Sequence, residues 1–482
     1  MTTGLDSAAQ YHRLTRYSRL SLSGGGLDWS NQPSLYKAYP EAERVDLPRD
    51  LVLPKAPAQL ILAGRAARSP QPLNLTVLAD LLFMAYGFTA KTYHGSEAFL
   101  YRSAPSAGAL YPVEIYLAAR GVTGLADGLY HYSLLDFSLT MLRPGPPPAE
   151  INAPALLLTA LFFRGAWKYR DRAFRYCLLD AGHTAENLLL AGAALGLNAE
   201  LRTEFDDAAL LDYLGLDGKK EAPLALVGLG ESTPPGVSGA EPGPGPPSAA
   251  DVAPRETVFE LISAAAALTA APLSGGGLTD LCFSRGPEVT LPPPDWEGFE
   301  GLSLVQALQR RRSRRNFRPK TLPRSELARA LDLIAGPDVG RPVNLGFTSN
   351  EVQDLSDGYY LAGRDDDKLR RHKSGFLGPA LASAALDQEW LGRANLVLVL
   401  TAPLARLEEG LGPRSLRLAY LAAGRLGQRA YLAAEVLDWG CCGVGAFYDD
   451  EAVRVLDLPA GEDLLYLLPC GPIQKRTHGG RR

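Results

Sequence analysis

Two arginines three residues apart, Arg172 and Arg175, stand before a long apolar stretch, and the same pair returns as Arg414 and Arg417. Laid on one another without gaps, the two stretches also match Leu179 with Leu421, Gly182 with Gly424 and Leu195 with Leu437. One inserted residue then brings Phe205-Asp206-Asp207 onto Tyr448-Asp449-Asp450. The agreement runs through a helix, a loop and the next helix, which chance does not supply. A chain that carries one fold twice must bury its matching faces against each other, as a homodimer does, so the sequence predicts an intrachain pseudo-dimer.

Composition narrows what such a pair can be. The 482 residues leave room for two or three domains, and 46% hydrophobic with 21% charged residues is ordinary for a globular chain. A formal net charge of −4 with no long basic stripe argues against nucleic acid as a partner. The longest apolar runs, residues 153–163 and 188–197, are half of the roughly 20 residues that a membrane span requires. The polar N-terminus lacks the apolar core of a secretory signal, and five cysteines without metal-type spacing read as buried thiols. A cytoplasmic location is expected.

Taken in order, residues 1–55 read as an extended arm that drapes over a neighbour, with Gly24-Gly25-Gly26 and prolines at 33, 40, 48 and 54. Residues 56–231 form the first domain, with helices expected over 58–68 and 76–86 and strands from Val113 and from Gly128. Lys168 and Tyr169 are expected just before a helix whose end, 187–197, is small or apolar on nearly every face and therefore buried. Residues 232–255 read as a Pro/Gly/Ser linker too polar and broken to pack, and 256–300 as a connecting segment with a helix over 256–270. The second domain spans 301–475, and 476–482 is a polar tail. Helices and strands alternate, an α/β or α+β pattern.

The copies have diverged in complementary ways. Only the first has the turn Pro105-Ser106-Ala107-Gly108, where glycine lets backbone approach a flat ligand, and only the first has Lys168-Tyr169; Gly410-Leu411 stands in that place in the second. Only the second has the cluster Arg310-Arg311-Arg312-Ser313-Arg314-Arg315, whose forked donors and hydroxyl suit a phosphate. It also carries the Gly443-Val444-Gly445-Ala446-Phe447 loop. Each motif alone has a plain structural reading: a turn into a strand, a surface pair, a solvated basic helix face. His183 reads as an interior histidine, the paired aspartates as caps of helix amides, and no metal site is suggested.

These motifs in this order resemble the FMN-dependent nitroreductase superfamily, and within it the SagB-type dehydrogenases that include azoline oxidases. The resemblance rests on Tyr11-His12-Arg13-Leu14-Thr15, the segment 33–40, APSAGALYPVEIY, WKYRDRAFRY, AGHTAENLLL, RRSRRNF and GCCGVGAF. It implies an α+β chain of two fused domains, each a mixed, mainly antiparallel sheet flanked by helices, with FMN at the interface. Arg311, Arg312, Ser313, Arg315, Gly443, Gly445 and Phe447 of the second copy, with Pro105, Ser106, Ala107 and Gly108 of the first, would bind one FMN per chain. Lys168 would be the base of a dehydrogenation and Tyr169 its orienting partner. The substrate is expected to be a small molecule or peptide, with O2 or NAD(P)H as redox partner. A nicotinamide-dependent reductase of nitro, quinone or enone compounds, and a non-catalytic flavin-binding or scaffolding subunit, are the alternatives.

Overall fold

The computed structural model describes residues 4–22, 26–66, 69–94, 97–230, 245–275, 286–318, 320–336, 339, 341–363 and 368–474. Among the described residues of the first half the strands are β1 (Arg44–Asp46), β2 (Phe88–His94), β3 (Glu97–Arg102), β4 (Val113–Ala119), β5 (Gly128–Ser133), β6 (Ser138–Pro144), β7 (Ala155–Leu161), β8 (Ala199–Arg202) and β9 (Glu221–Leu229). Its helices are α1 (Ala8–Leu14), α2 (Ala58–Leu62), α3 (Leu75–Tyr86), α4 (Phe162–Tyr169), α5 (Ala173–Ala194) and α6 (Asp207–Leu214). The second half has strands β10 (Glu288–Thr290), β11 (Asn344–Ser349), β12 (Gly358–Ala362), β13 (Lys368–Ser374), β14 (Leu396–Ala402), β15 (Trp439–Cys441) and β16 (Asp463–Pro472). Its helices are α7 (Glu260–Leu268), α8 (Leu304–Arg310), α9 (Arg324–Ala335), α10 (Gly378–Ala384), α11 (Leu404–Leu411), α12 (Ser415–Val436) and α13 (Asp449–Leu456).

The two halves build the same seven-stranded sheet. The orders are β1-β6-β5-β4-β7-β9-β8 and β10-β13-β12-β11-β14-β16-β15, and β2 and β3 form a separate hairpin. All these ladders are antiparallel, and among the described residues parallel pairing is confined to isolated bridges such as Ser313 with Cys441. The central strands β7, β9, β14 and β16 are buried along their whole length, because helices cover both faces.

The long helices α5 and α12 cross at the pseudo-two-fold axis. A Cβ on Gly182 would stand 2.9 Å from Gly424 Cα, and one on Gly424 would stand 2.9 Å from Gly182 Cα, so the backbones touch where both copies have glycine. The same reciprocity governs the N-termini of α2 and α8. Ala58 N donates to Leu302 O at 2.8 Å and Leu304 N to Ala56 O at 3.0 Å. Matched surfaces that exchange matched bonds are what an isologous interface requires.

Several expectations are corrected by the chain's local chemistry. The first predicted helix stops at Leu62 rather than 68, because Gly64 takes φ +67° and Arg65 N turns back onto Leu60 O at 2.8 Å. Lys168 and Tyr169 do stand just before the long helix α5, but they are themselves the end of a helix the sequence did not announce, α4, from which the chain turns at Arg170 with φ 50°. The described part of the linker packs, with Val252 and Ala253 buried against Leu161 and Trp167 and Ser34 N donating to Val252 O at 2.6 Å. The remainder of that linker, Gly24-Gly25 of the arm, Gly276-Gly277 and the tail from 475 lie outside the described residues.

The first 55 residues do more than drape. Helix α1 lies against α11, with Glu408 accepting from Ala8 N and Ala9 N at 2.8 and 2.9 Å, and β1 joins the first sheet beside β6. Helix α7 and strand β10 repeat these roles: Thr15, just past α1, accepts from Arg175 Nε at 2.8 Å, and Thr269, just past α7, accepts from Arg417 Nε at 2.9 Å.

Candidate functional site

The repeated arginines set the frame of the seam. Arg172 and Arg175 donate to the Asp449 carboxylate at 2.7 and 2.9 Å, while Arg414 and Arg417 bond to Asp207 in the opposite direction. All six side chains are buried. Asp207 therefore corresponds to Asp449, both being first residues of their helices, and no inserted residue separates the copies here. Asp206 does cap its helix, accepting from Ala209 N at 3.0 Å, but Asp207 and Asp449 cross the seam instead.

A cleft of about 170 Å³ opens at this seam, with walls from both halves. The first half contributes Pro105, Ser106, Ala107 and Gly108 with Tyr169, Tyr176 and Asp180, and the second contributes Ser313, Arg315, Gly443 and Gly445 with Tyr431 and Tyr466. The two motifs singled out in the first half meet there. Gly108 has φ +64°, and a Cβ on it would lie 2.7 Å from Tyr169 Oη and 3.3 Å from Lys168 Nζ. Ala109 and Tyr111 also have positive φ, so the turn is held in a conformation that side-chain-bearing residues seldom adopt. Tyr169 stacks edge-on against Tyr176 at 4.6 Å and is half-buried, whereas Lys168 is exposed.

The opposite wall is backbone backed by tyrosines. Gly443 N donates to Tyr431 Oη at 2.7 Å, a Cβ on Gly443 would collide with Tyr466 Oη, and one on Gly445 would stand 2.6 Å from Tyr176 Cε1. Ser313 Oγ lies 2.9 Å from Tyr431 Oη. Arg315 lies 5.3 Å over the Trp390 ring, exposed at the edge, and its charge is favoured by the neighbouring Cys442. His183 faces Gln428 at 3.1 Å and Tyr466 at 3.3 Å, and burial lowers it to about 3, so it is a neutral interior histidine.

Four predicted residues do not line the cleft: Lys168, which stands exposed beside Gly108, and Arg311, Arg312 and Phe447. Arg311 is buried and donates to Ser103 O at 2.6 Å and Arg102 O at 3.1 Å, clamping the start of the second half to the end of β3. Arg312 donates to Thr89 O at 2.8 Å and Thr89 Oγ1 at 3.1 Å, on β2. Phe447 is wholly buried in the second half, with Arg172 5.0 Å over its ring. Asp180 was not singled out in the sequence. It accepts from Ser106 Oγ at 2.5 Å and Ala107 N at 3.3 Å, and so ties the Pro-Ser turn to α5. The available signal is an acid in a buried helix with no Lys or Arg three or four residues to either side of it other than neutral His183.

The mirror position across the axis has lost these groups. At the one offset that superposes the copies, Ala422 replaces Asp180, Arg425 replaces His183, Leu418 replaces Tyr176, Leu201 replaces Gly443 and Thr203 replaces Gly445. Hairpin β2-β3 and the Pro-Ser turn lie between α3 and β4, and only residues 336–343 separate α9 from β11. One composite cleft is therefore complete.

Comparison with known proteins agrees with this duplication. The model of the Nitroreductase family matches residues 67–231 and again 308–472. A Methanocaldococcus jannaschii protein named as a nitroreductase is 32% identical over 171 residues, 33% of this chain and 81% of that protein. The microcin B17-processing protein McbC of Escherichia coli is 26% identical over 147 residues, 27% of this chain and 54% of its own length. A crystal structure of an Anabaena variabilis protein, also named as a nitroreductase, superposes with a TM-score of 0.77 at 27% identity, covering 97% of this chain and 100% of that one. With the family pattern met twice, over more than half of its length, and a whole-chain structural match, the chain belongs to the nitroreductase family as a tandem duplicate.

Proposed function

We propose that the chain is an FMN-dependent oxidoreductase with one FMN at the seam, and that it dehydrogenates a small heterocycle or modified peptide, azoline to azole. The observation that carries the reading is the composite cleft, walled by the Pro-Ser turn and Tyr169 from one half, with Lys168 beside Gly108 at its edge, and by Ser313, Arg315 and the glycine loop from the other. The donor set fits the cofactor. Ser313 and Arg315 offer a hydroxyl and a guanidinium suited to a phosphate, while bare backbone at 106–108 and 443–445 suits a flat ring. Arg311 and Arg312 hold the two halves together at its edge. When bound, FMN supplies a two-electron acceptor for hydride leaving a ring carbon. Lys168 Nζ, as the neutral amine, takes the proton from the adjoining ring atom and becomes the ammonium, and Tyr169, fixed against Tyr176, orients the amine and the substrate. Similarity to a protein named for processing microcin B17 supports a peptide-derived substrate.

The exposure of Lys168 favours one second reading, an NAD(P)H-dependent reductase in which the lysine takes no proton. The deciding experiment counts flavin in the purified chain and then offers it, anaerobically, an azoline peptide or NADPH. About one FMN per chain, retained less by Ser313→Ala and Arg315→Ala, supports the composite site. Bleaching by the azoline and its loss in Lys168→Ala support dehydrogenation; bleaching by NADPH alone supports the second reading. Two flavins per chain, or none after reconstitution, would sink the single-site proposal.

A further inference from the structure

Several buried carboxylates in this chain face arginines: Glu114 meets Arg164, Glu186 meets Arg425 and Arg429, and Asp207 and Asp449 meet the seam pairs. Asp180 is 5% exposed and faces no such partner among the described residues. The ionisable groups packed around it are Tyr86 from α3, Tyr111 beside the turn, Tyr169 from α4, Tyr466 from β16 and Cys177 from its own helix, all pushed up by burial and neutral at pH 7. His183 lies one turn further along α5 and is neutral too. Two cations flank the cleft, Lys168, exposed over Gly108, and Arg315, exposed in the opposite wall. Burial raises the Asp180 carboxyl to about 7, against the opposing bonds from Ser106 and Ala107.

The hydroxyl of Ser106 has one proton to give, and it already accepts from Tyr111 N at 2.8 Å. While Asp180 is ionised, that proton points at Oδ2 and the cleft is offered only a lone pair. Once Asp180 is protonated its O–H becomes the donor, and Ser106 Oγ then holds two accepted bonds and must direct its own proton elsewhere. The open side is the cleft. We propose that Asp180 is a positioning residue that sets, through Ser106, whether the cleft is offered a hydrogen-bond donor. The inference rests on the reading that this cleft holds the flavin and its substrate. Position 422 in the second half is alanine and has no such turn beside it, so the device exists only at the complete site.

The test uses the full chain with 13C-labelled aspartate carboxyls, first without and then with FMN. The Asp180 signal, identified by its absence in Asp180→Asn, should titrate near neutral pH. In Ser106→Ala its midpoint should move up by about one pH unit, the size of one lost hydrogen bond to an ionised group. With FMN added, the visible spectrum should titrate with the same midpoint in the wild type and in Ser106→Thr, and not in Asp180→Asn or Ser106→Ala. A carboxyl that titrates in the ordinary acidic range, or is unmoved by Ser106→Ala, overturns the coupling whether or not flavin binds. A spectrum that titrates unchanged in Asp180→Asn overturns the effect on the cleft. A chain that shows the expected carboxyl behaviour but retains no flavin supports the coupling and overturns the functional reading on its own.

Discussion

At the scale of single residues, two buried aspartates respond to pH in opposite directions. Burial pushes the Asp449 carboxyl up, but Arg172 and Arg175 outweigh burial and leave it below its ordinary value. A group whose folded value is depressed stabilises the fold above its unfolded value of about 3.9, and loses that contribution as pH falls through the folded value. Asp180 is raised to about 7, so its contribution is complete below about 3.9 and is lost as pH rises through 7. Asp180→Asn should therefore flatten the fall in urea stability between acid and neutral pH that wild type shows. Asp449→Ala should cost on the order of 3–5 kcal/mol, because two arginines are left buried without their carboxylate. A loss under 1 kcal/mol in urea unfolding at pH 7 would mean that water reaches the pair. The sequence pointed to Asp449 and Asp207 as helix caps because an acid before a helix usually is one. Their partners lie more than 200 residues away in sequence, where local spacing carries no information.

At the scale of elements, the crossing of α5 and α12 leaves no room for a methyl group at Gly182 or Gly424. Gly182→Ala must push Leu421 O and the facing glycine apart, so each substitution should destabilise by about 1–3 kcal/mol, the usual cost of overpacking, despite alanine's better helix propensity. An unchanged urea midpoint would show that the helices can separate at no cost. The crossing was legible in the sequence, because two glycines aligned at one offset within two apolar helices have few other uses. The equivalence of α1 with α7 was not, since AAQYHRL and ELISAAAAL share neither pattern nor composition. They correspond through the threonine past each helix and the arginine of the long helix that bonds to it and to the carbonyl three residues before it. The composite cleft was legible as a set of motifs. The roles of Arg311 and Arg312 were not, because an arginine that ties down a carbonyl and one that awaits a phosphate have the same spelling.

At the scale of the whole molecule, the halves cannot be parted without opening the core. A single hydrophobic cluster runs from Tyr11 and Leu82 through Phe174 and Leu179 to Leu421, Tyr431 and Leu468, and so belongs to both copies. Each long helix pins the other half's Asp through buried arginines, and each half's N-terminal helix is held by an arginine of the long helix that follows it. An interface built like a domain interior behaves as an obligate one, with no stable separate partners. A protease site engineered between residues 236 and 240 should accordingly leave the two fragments eluting as one species of the size of the 51.7 kDa chain. Heat should then unfold the cut and uncut proteins in one transition each, the cut form's midpoint depending on concentration because its unfolding is now a dissociation. Two separate transitions, or fragments that part on dilution while each keeps its fold, would show that the copies are independent domains sharing a face. The cleft would then be a site that opens whenever they separate.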